Sequence, residues 1–156
     1  MAIEIEHKFL LASEDWREHV SHSVDYRQGY LTSAANSSIR VRVSDDHAWL
    51  NIKSATIGTQ RYEYEYEIPL HDAYELLDNL CAKPLIEKTR YFVVDNNHTW
   101  EIDEFRGANA GLIVAEIELA EMGQDFARPA WLGREVTDDL RFYNNNLAVH
   151  PYLEWG

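Results

Sequence analysis

Met1-Ala-Ile-Glu-Ile-Glu-His-Lys-Phe-Leu-Leu11 opens the chain and alternates as a β-strand does. Successive side chains of a strand point to opposite faces, so Glu4, Glu6 and Lys8 share one face and the apolar side chains share the other. Two neighbouring carboxylates and a lysine are an unfavourable combination on a solvent-facing strand. The same three side chains could form half of a binding site for a charged ligand. Since an ordinary amphipathic strand also has this pattern, the remaining strands decide between the two interpretations.

Length and composition predict a single folded domain over residues 1–156. The chain is 46% hydrophobic and 12% aromatic, which argues against disorder. Its formal net charge of −13 argues against nonspecific binding to nucleic acid or to an anionic membrane. The sequence has no apolar run near the ~20 residues of a membrane helix. Because Cys81 is its only cysteine, an internal disulfide is impossible, and we expect a cytoplasmic location.

Eight segments with period-two alternation follow one another through short turns. They are predicted at residues 2–11, 24–31, 37–44, 47–54, 60–68, 86–94, 98–105 and 112–120. Helical patterns are fewer: a short one after Ser13, one over His71 to Ala82, and one from Thr137 towards Val149. These elements predict a mainly β (α+β) fold. We expect an eight-stranded antiparallel closed barrel with a few peripheral helices and a C-terminal closing helix.

Charged side chains recur on one face of strand after strand. By parity this face holds Glu4, Glu6, Lys8, Arg40, Arg42, Lys53, Arg61, Glu63, Glu65, Glu67, Lys88, Arg90, Glu101, Asp103, Glu116 and Glu118. A sheet with a solvated outer face would also alternate, but such a face usually carries more Ser, Thr, Asn and Gln. Paired acids in Glu-x-Glu also repel unless a cation lies between them. We therefore expect an inverted barrel, in which the charged face lines a water-filled bore.

The residue types predict the ligand of this bore. Arginine presents a fork to phosphate oxygens, and lysine supplies a compact positive charge. Carboxylates are hard oxygen ligands suited to Mg²⁺ or Mn²⁺. Zinc is disfavoured, because one cysteine and scattered histidines lack the spacing of zinc ligands. A chain of phosphates bridged to one or two divalent ions matches both sets of residues.

An ordered series of motifs extends over nearly the whole chain, from about residue 2 to residue 148. It consists of Glu4-x-Glu6-x-Lys8, Gln28-Gly-Tyr30-Leu, Ile39-Arg-Val-Arg42, Ile52-Lys53-Ser, Arg61-x-Glu63-Tyr-Glu65, Glu87-Lys-Thr-Arg90-Tyr, Glu101-x-Asp103 and Glu116-x-Glu118. The series resembles the triphosphate tunnel metalloenzymes, also called the CYTH superfamily, and in particular their short bacterial tripolyphosphatase-like members. The segment from Glu135 to Asn144 is similar to the closing helix of that family.

The resemblance implies a tunnel that hydrolyses or rearranges triphosphates with Mg²⁺ or Mn²⁺. The metal ligands that it implies are Glu4, Glu6, Glu116 and Glu118. The phosphate ligands that it implies are Lys8, Arg40, Arg42, Lys53, Lys88, Arg90 and Arg141, whereas Arg61 is expected to pair with Glu63 and Glu65 or with Asp103. Lys88, Glu6 and Glu118 are the catalytic candidates. Lys88 is either a general base, with a pKa lowered by the other cations, or only a phosphate ligand.

The leading hypothesis is divalent-metal-dependent hydrolysis of inorganic triphosphate. The alternatives are an adenylate cyclase of the CYTH type, or a nucleoside or thiamine triphosphatase; a cyclase needs an adenine site, and no base-binding motif is evident. A third hypothesis, a noncatalytic polyphosphate-binding module, is disfavoured because every implied metal ligand is present. The expected partner is a small polyphosphate, not nucleic acid or a membrane. A homodimer through an outer face around Trp49 and Tyr62 to Tyr66 is an option, and so is helix cover of that face.

Overall fold

A computed structural model describes residues 2–55 and 59–155. In that part of the chain the strands are β1 (Ala2–Leu11), β2 (Val20–Ser33), β3 (Ser37–Ser44), β4 (His47–Ser54), β5 (Gln60–Ile68), β6 (Ile86–Asp95), β7 (His98–Phe105), β8 (Ile113–Glu118) and β9 (Leu132–Glu135). The α-helices are α1 (Leu70–Asn79) and α2 (Asn144–Val149). Short 3₁₀ helices cover Asp15–His19, Gly107–Asn109, Leu140–Phe142 and Tyr152–Glu154.

Strands β1 to β8 form a closed antiparallel barrel, which confirms the predicted architecture. Neighbours follow the order β5-β4-β3-β2-β6-β7-β8-β1, and β1 closes the barrel by pairing with β5. In the two pairings of β1, Glu4 is in register with Arg61 of β5 and Glu6 with Glu118 of β8. The short strand β9, which the sequence pattern did not predict, extends the sheet along the end of β1.

The barrel is inverted, because its charged side chains point inwards. Its apolar side chains form three clusters, two on the outer face and one that fills an end of the bore around Phe105, which is in register with Lys88. The first cluster includes Phe9, Trp16, Trp100 and Trp131; the second includes Ile86, Phe105, Phe142 and Leu147; the third includes Val41, Val43, Ala73 and Leu77. Helix α2 covers the second cluster and α1 the third. Burial of apolar surface contributes about 25 cal/mol per Å², and these three clusters offset the cost of a charged interior.

The C-terminal region differs from the single helix predicted from Thr137 to Val149. A 3₁₀ turn is followed by extended backbone at Tyr143 (ψ 138°), and only then does α2 begin. Thr137 does not cap a helix, because its hydroxyl accepts a hydrogen bond from the backbone N–H of Lys8 at 3.0 Å. The hydroxyl of Tyr143 donates a hydrogen bond to the backbone carbonyl oxygen of Thr137 at 2.9 Å. These contacts attach the segment to β1 and replace the helical hydrogen bonds.

The outer face of β5 remains exposed. Tyr62, Tyr64 and Tyr66 are 46%, 38% and 56% exposed. Trp49 is not part of this surface, because it is in register with Arg42 of the inner face. In residues 2–55 and 59–155, no helix is both long enough and apolar enough to span a bilayer.

Candidate active site

The bore of the barrel encloses a cavity of about 170 Å³ with a charged wall. It is lined by Glu4, Glu6, Lys8, Arg40, Arg42, Lys53, Arg61, Glu63, Glu65, Lys88, Arg90, Glu101, Glu116, Glu118 and Asn144. Period-two alternation explains this wall, since each strand directs every second side chain inwards. A lining of this composition suits a polyanion accompanied by cations rather than an apolar ligand.

The structure brings all the residues predicted for the site to this wall except Arg141. Arg141 lies outside the cavity: its side chain is 58% exposed and pairs with Asp139 at 2.7 Å. Its guanidinium also lies 5.0 Å from the ring centre of Trp155. The predicted phosphate contact of Arg141 is therefore not supported by its position. The cause is the 3₁₀ turn, which directs this side chain away from the face that a continuous helix would present.

A buried carboxylate, Asp103, holds two of the predicted phosphate ligands. It is 1% exposed, and it accepts hydrogen bonds from Lys88 Nζ at 2.7 Å and from Arg90 Nε and Nη2 at 2.8 and 3.0 Å. Although burial alone raises the pKa of Asp103, Arg90 and Lys88 outweigh burial and hold that pKa well below its usual range. Asp103 therefore stays ionised and fixes both cations.

Lys88 is fully buried, and its pKa is lowered to about 7. Burial is the main cause, and repulsion by Arg90 and Arg42 adds to it, while Asp103 acts in the opposite direction. Besides Asp103, Nζ donates to Asn144 Oδ1 at 2.9 Å. Two N–H groups of Lys88 are occupied by these hydrogen bonds. The third site on Nζ carries a proton when the amine is charged and a lone pair when it is neutral.

Most of the predicted metal ligands are paired with cations in the structure. Glu4 lies 2.9 Å from Arg61 Nη2 and 3.5 Å from Lys53 Nζ. Lys8 Nζ lies 3.2 Å from Glu6 and 2.5 Å from Glu116. The partners expected for Arg61 are thus wrong: it pairs with the two acids of β1, because the register of β1 and β5 places it opposite Glu4.

Glu118 is the exception among these acids. Within the described residues it has no basic partner in an ion pair, and its neighbour across the strand is another acid, Glu6. Partial desolvation, followed by repulsion from Glu4 and Glu6, raises the pKa of Glu118 to about 7. Burial also raises the pKa of Glu101, which is in register with Glu116 and forms an ion pair with Arg90. This side of the cavity therefore carries surplus negative charge.

The acidic side fits a divalent cation by its donor chemistry. Its ligands are carboxylate oxygens, which Mg²⁺ and Mn²⁺ prefer, and the repulsion at Glu118 is of the kind that a bound cation relieves. The described residues hold no ready group of three His, Cys, Asp or Glu side chains arranged for a metal. Lys8 and Arg61 form ion pairs with these carboxylates, and a bound ion would replace those partners.

The opposite side of the cavity carries surplus positive charge. Across residues 2–55 and 59–155, Arg40 and Arg42 form no ion pair, and the buried Nε of Arg40 has no hydrogen-bond partner. Burial, followed by repulsion from Arg40 and Arg90, lowers the pKa of Arg42 to about 9. Burial and repulsion from Arg40 also lower the pKa of Lys53 to about 8. An anion bound here would relieve this repulsion and occupy the free donors.

Two amide residues complete the site without having been assigned to it from the sequence. Gln28 is fully buried and in register with Arg42, so the alternation of β2 contained a signal for its inward direction. Asn144, at the start of α2, lines the cavity between Gln28 and Lys88. The sequence gave no signal for Asn144, because its position depends on the irregular turn before α2.

Comparison with known proteins agrees with this geometry. The CYTH domain model matches residues 2–152. An inorganic triphosphatase of Acetivibrio thermocellus is 47% identical over 97% of both chains, and one of Nitrosomonas europaea is 35% identical over 94% of this chain and 97% of its own. A crystal structure of an inorganic triphosphatase matches with a TM-score of 0.67 at 32% identity, covering 94% of this chain and 97% of that one. The chain belongs to the CYTH domain family.

Proposed function

We propose that this protein is an inorganic triphosphatase, an enzyme that hydrolyses tripolyphosphate to pyrophosphate and phosphate. The observation that carries the proposal is the division of one cavity into two sides. On one side, Arg40 and Arg42 form no ion pair among the described residues, and the other side has surplus carboxylates. The two relatives with 47% and 35% identity are both inorganic triphosphatases, and they match this chain over almost its full length.

Arginine and lysine side chains would hold the phosphate chain. Arg40 and Arg42 form no ion pair in residues 2–55 and 59–155, while Lys53 of β4 and Lys88 and Arg90 of β6 extend the basic wall. In the reaction, a water oxygen attacks a terminal phosphorus in line. The bridging P–O bond breaks, its electron pair leaves with pyrophosphate, and the water proton passes to a base. The fixed cations stabilise the charge on the transferred phosphoryl group and on the leaving oxygen.

The acids Glu4, Glu6, Glu116 and Glu118 would hold Mg²⁺ or Mn²⁺. CYTH triphosphatases depend on metal ions in general. A divalent cation, when bound, neutralises substrate charge that Lys8 and the arginines leave uncompensated. The choice between the two metals is part of the proposal, and it rests on the oxygen donors of this side of the cavity.

With Mg²⁺ or Mn²⁺, we expect tripolyphosphate to be hydrolysed with a higher kcat/KM than ATP, and no cyclic AMP to form. The wall offers contacts to phosphates, whereas an adenosine group adds no evident contact in the transition state. Tyr143 is not available to stack on a base, because its ring lies 4.9 Å from Lys8 Nζ and its hydroxyl is bonded to Thr137. The measurement is a competition between tripolyphosphate, ATP and thiamine triphosphate in one tube, with separate detection of each product. A preference for ATP, or formation of cyclic AMP, would support the nucleotide enzyme or the cyclase instead.

For Lys88 we propose the role of proton acceptor, with phosphate binding as the alternative. A base with a pKa near 7 predicts that log kcat/KM rises with pH through that region. Lys88→Arg keeps the charge but removes the base, so we expect a loss of about 100-fold and no rising limb. The measurement is the pH profile of kcat/KM for both proteins. A wild-type profile that falls above pH 7 would make Lys88 a phosphate ligand only.

The proposed setting of the enzyme is a reducing compartment, the cytoplasm, in line with its single cysteine. The proposed partner is a small polyphosphate, since a net charge of −13 disfavours nucleic acid and anionic membranes. A homodimer through the exposed tyrosines of β5 is a further part of this proposal. Light scattering over a range of concentrations would detect such a dimer, and a constant monomer mass would exclude it.

A further inference from the structure

Two neutral side chains connect the basic residues of the cavity. Arg42 Nε donates to Gln28 Oε1 at 2.9 Å, and Gln28 Nε2 donates to Asn144 Oδ1 at 3.2 Å. The same Asn144 oxygen accepts from Lys88 Nζ at 2.9 Å. One continuous series of hydrogen bonds therefore runs from an arginine of β3, through β2 and α2, to a lysine of β6.

The amide oxygens of Gln28 and Asn144 are neutral acceptors, whereas the other acceptor of these basic side chains, Asp103, is a carboxylate. Arg90 and Lys88 are held by Asp103, whose negative charge offsets theirs. Gln28 fixes the guanidinium of Arg42 without offsetting its charge, because an amide oxygen accepts a hydrogen bond but carries no net charge. A fixed and uncompensated cation interacts more strongly with a phosphate than one already paired with a carboxylate.

We propose that Gln28 and Asn144 are positioning residues for tripolyphosphate, an inference that rests on the proposed function. They orient Arg42 and Lys88 towards the bore, and Gln28 leaves the positive charge of Arg42 available to the substrate. Asn144 accepts from both sides with the two lone pairs of one oxygen, so it also joins the start of α2 to the phosphate site. In this way the C-terminal segment contributes to the site through a neutral contact, although Arg141 points away from it.

Binding of tripolyphosphate without metal tests the proposal, because it needs no turnover. We expect Gln28→Met, which fills the space but cannot hold Arg42, to weaken binding by about tenfold in calorimetry. Gln28→Glu should weaken it further, since the new carboxylate pairs with Arg42 and competes with phosphate. The thermal midpoint of Gln28→Glu should equal or exceed that of Gln28→Met, so its weaker binding is not explained by a loss of stability. With metal present, KM should rise in the same order while kcat changes less.

Gln124→Glu is the matched control. Gln124 lies outside the cavity, and its side-chain oxygen accepts from the backbone N–H of Ala120 and Glu121, which a carboxylate also does. Gln124→Glu adds the same charge as Gln28→Glu, and we expect this variant to bind tripolyphosphate with wild-type affinity. Wild-type affinity in Gln28→Met would overturn the proposal, as would weakening in Gln28→Glu accompanied by a lower thermal midpoint than that of Gln28→Met. If the wild-type protein binds tripolyphosphate but releases no phosphate, the proposed function fails, and the binding comparison still tests the positioning role.

Discussion

Glu118→Gln should reduce metal-dependent hydrolysis of tripolyphosphate by at least about 100-fold while the protein stays folded. Glu118 has no basic partner among the described residues, and its repulsion from Glu4 and Glu6 is the clearest sign of where a cation is required. A neutral amide in its place relieves that repulsion in the free protein but removes a charged oxygen ligand. Loss of about 3 kcal/mol of transition-state stabilisation corresponds to this change in rate.

The measurement is initial phosphate release over a range of Mg²⁺ and Mn²⁺ concentrations, with circular dichroism to verify folding. Glu6→Gln should show a similar loss, because Glu6 is in register with Glu118 across β1 and β8. Glu121→Gln, an exposed substitution three residues further on, should retain wild-type activity. A wild-type rate at low metal concentration in either cavity variant would contradict the metal assignment of that acid.

Asp103→Asn should lower the free energy of unfolding by about 3–5 kcal/mol, the largest effect on stability that we expect from a single charge. The carboxylate is almost completely buried and accepts three hydrogen bonds from two cations. Its removal leaves the buried Lys88 without a carboxylate partner and Arg90 with Glu101 alone, next to Arg42, which already lacks a carboxylate partner in the described structure. Urea titration at pH 7 measures this change, and Asp125→Asn, at an exposed position, is the control.

The pH dependence of this effect follows from the direction of the Asp103 pKa shift. The pKa of Asp103 is lower in the folded protein than its ordinary value of about 3.9, so the ionised carboxylate stabilises the fold above that value. This contribution is lost as pH falls below about 4 towards the folded pKa. The difference in stability between wild type and Asp103→Asn should therefore be largest near neutral pH and shrink on acidification. A constant difference between pH 7 and pH 3 would contradict the ion-pair explanation.

The barrel could be predicted from the sequence because its strands repeat one strong pattern. Each strand of the wall alternates between charge and apolar side chains, and such a period identifies both the strand and its inward face. β9 (Leu132–Glu135) was not predicted, because a strand of four residues with a glycine inside it is too short to show an alternating pattern. The C-terminal helix was predicted as too long because Leu140, Tyr143 and Leu147 have helical spacing, although tertiary contacts of Thr137 and Tyr143 decide the local backbone.

The candidate site was predictable to the same extent as the barrel. Lys8, Arg40, Glu118 and the other strand residues were assigned by parity, and the structure places them on one wall. The pairing of these charges was not predictable, because it depends on strand register: Arg61 meets Glu4 through the alignment of β1 with β5. Arg141 was predicted to line the bore and Asn144 was not, but the structure shows the reverse. A single turn of irregular backbone decides which of the two faces the bore.

The position of β1 in the barrel has a consequence for synthesis of the chain. β1 precedes the other described strands in the sequence, yet it pairs with β5, β8 and β9, two of which follow it by more than 100 residues. Contacts so distant in sequence slow folding, and an unpaired strand offers its edges to other chains until closure. The neighbouring acids Glu4 and Glu6 repel a second copy of the same strand during that interval. We therefore expect the carboxylates proposed as metal ligands also to protect the nascent chain against aggregation.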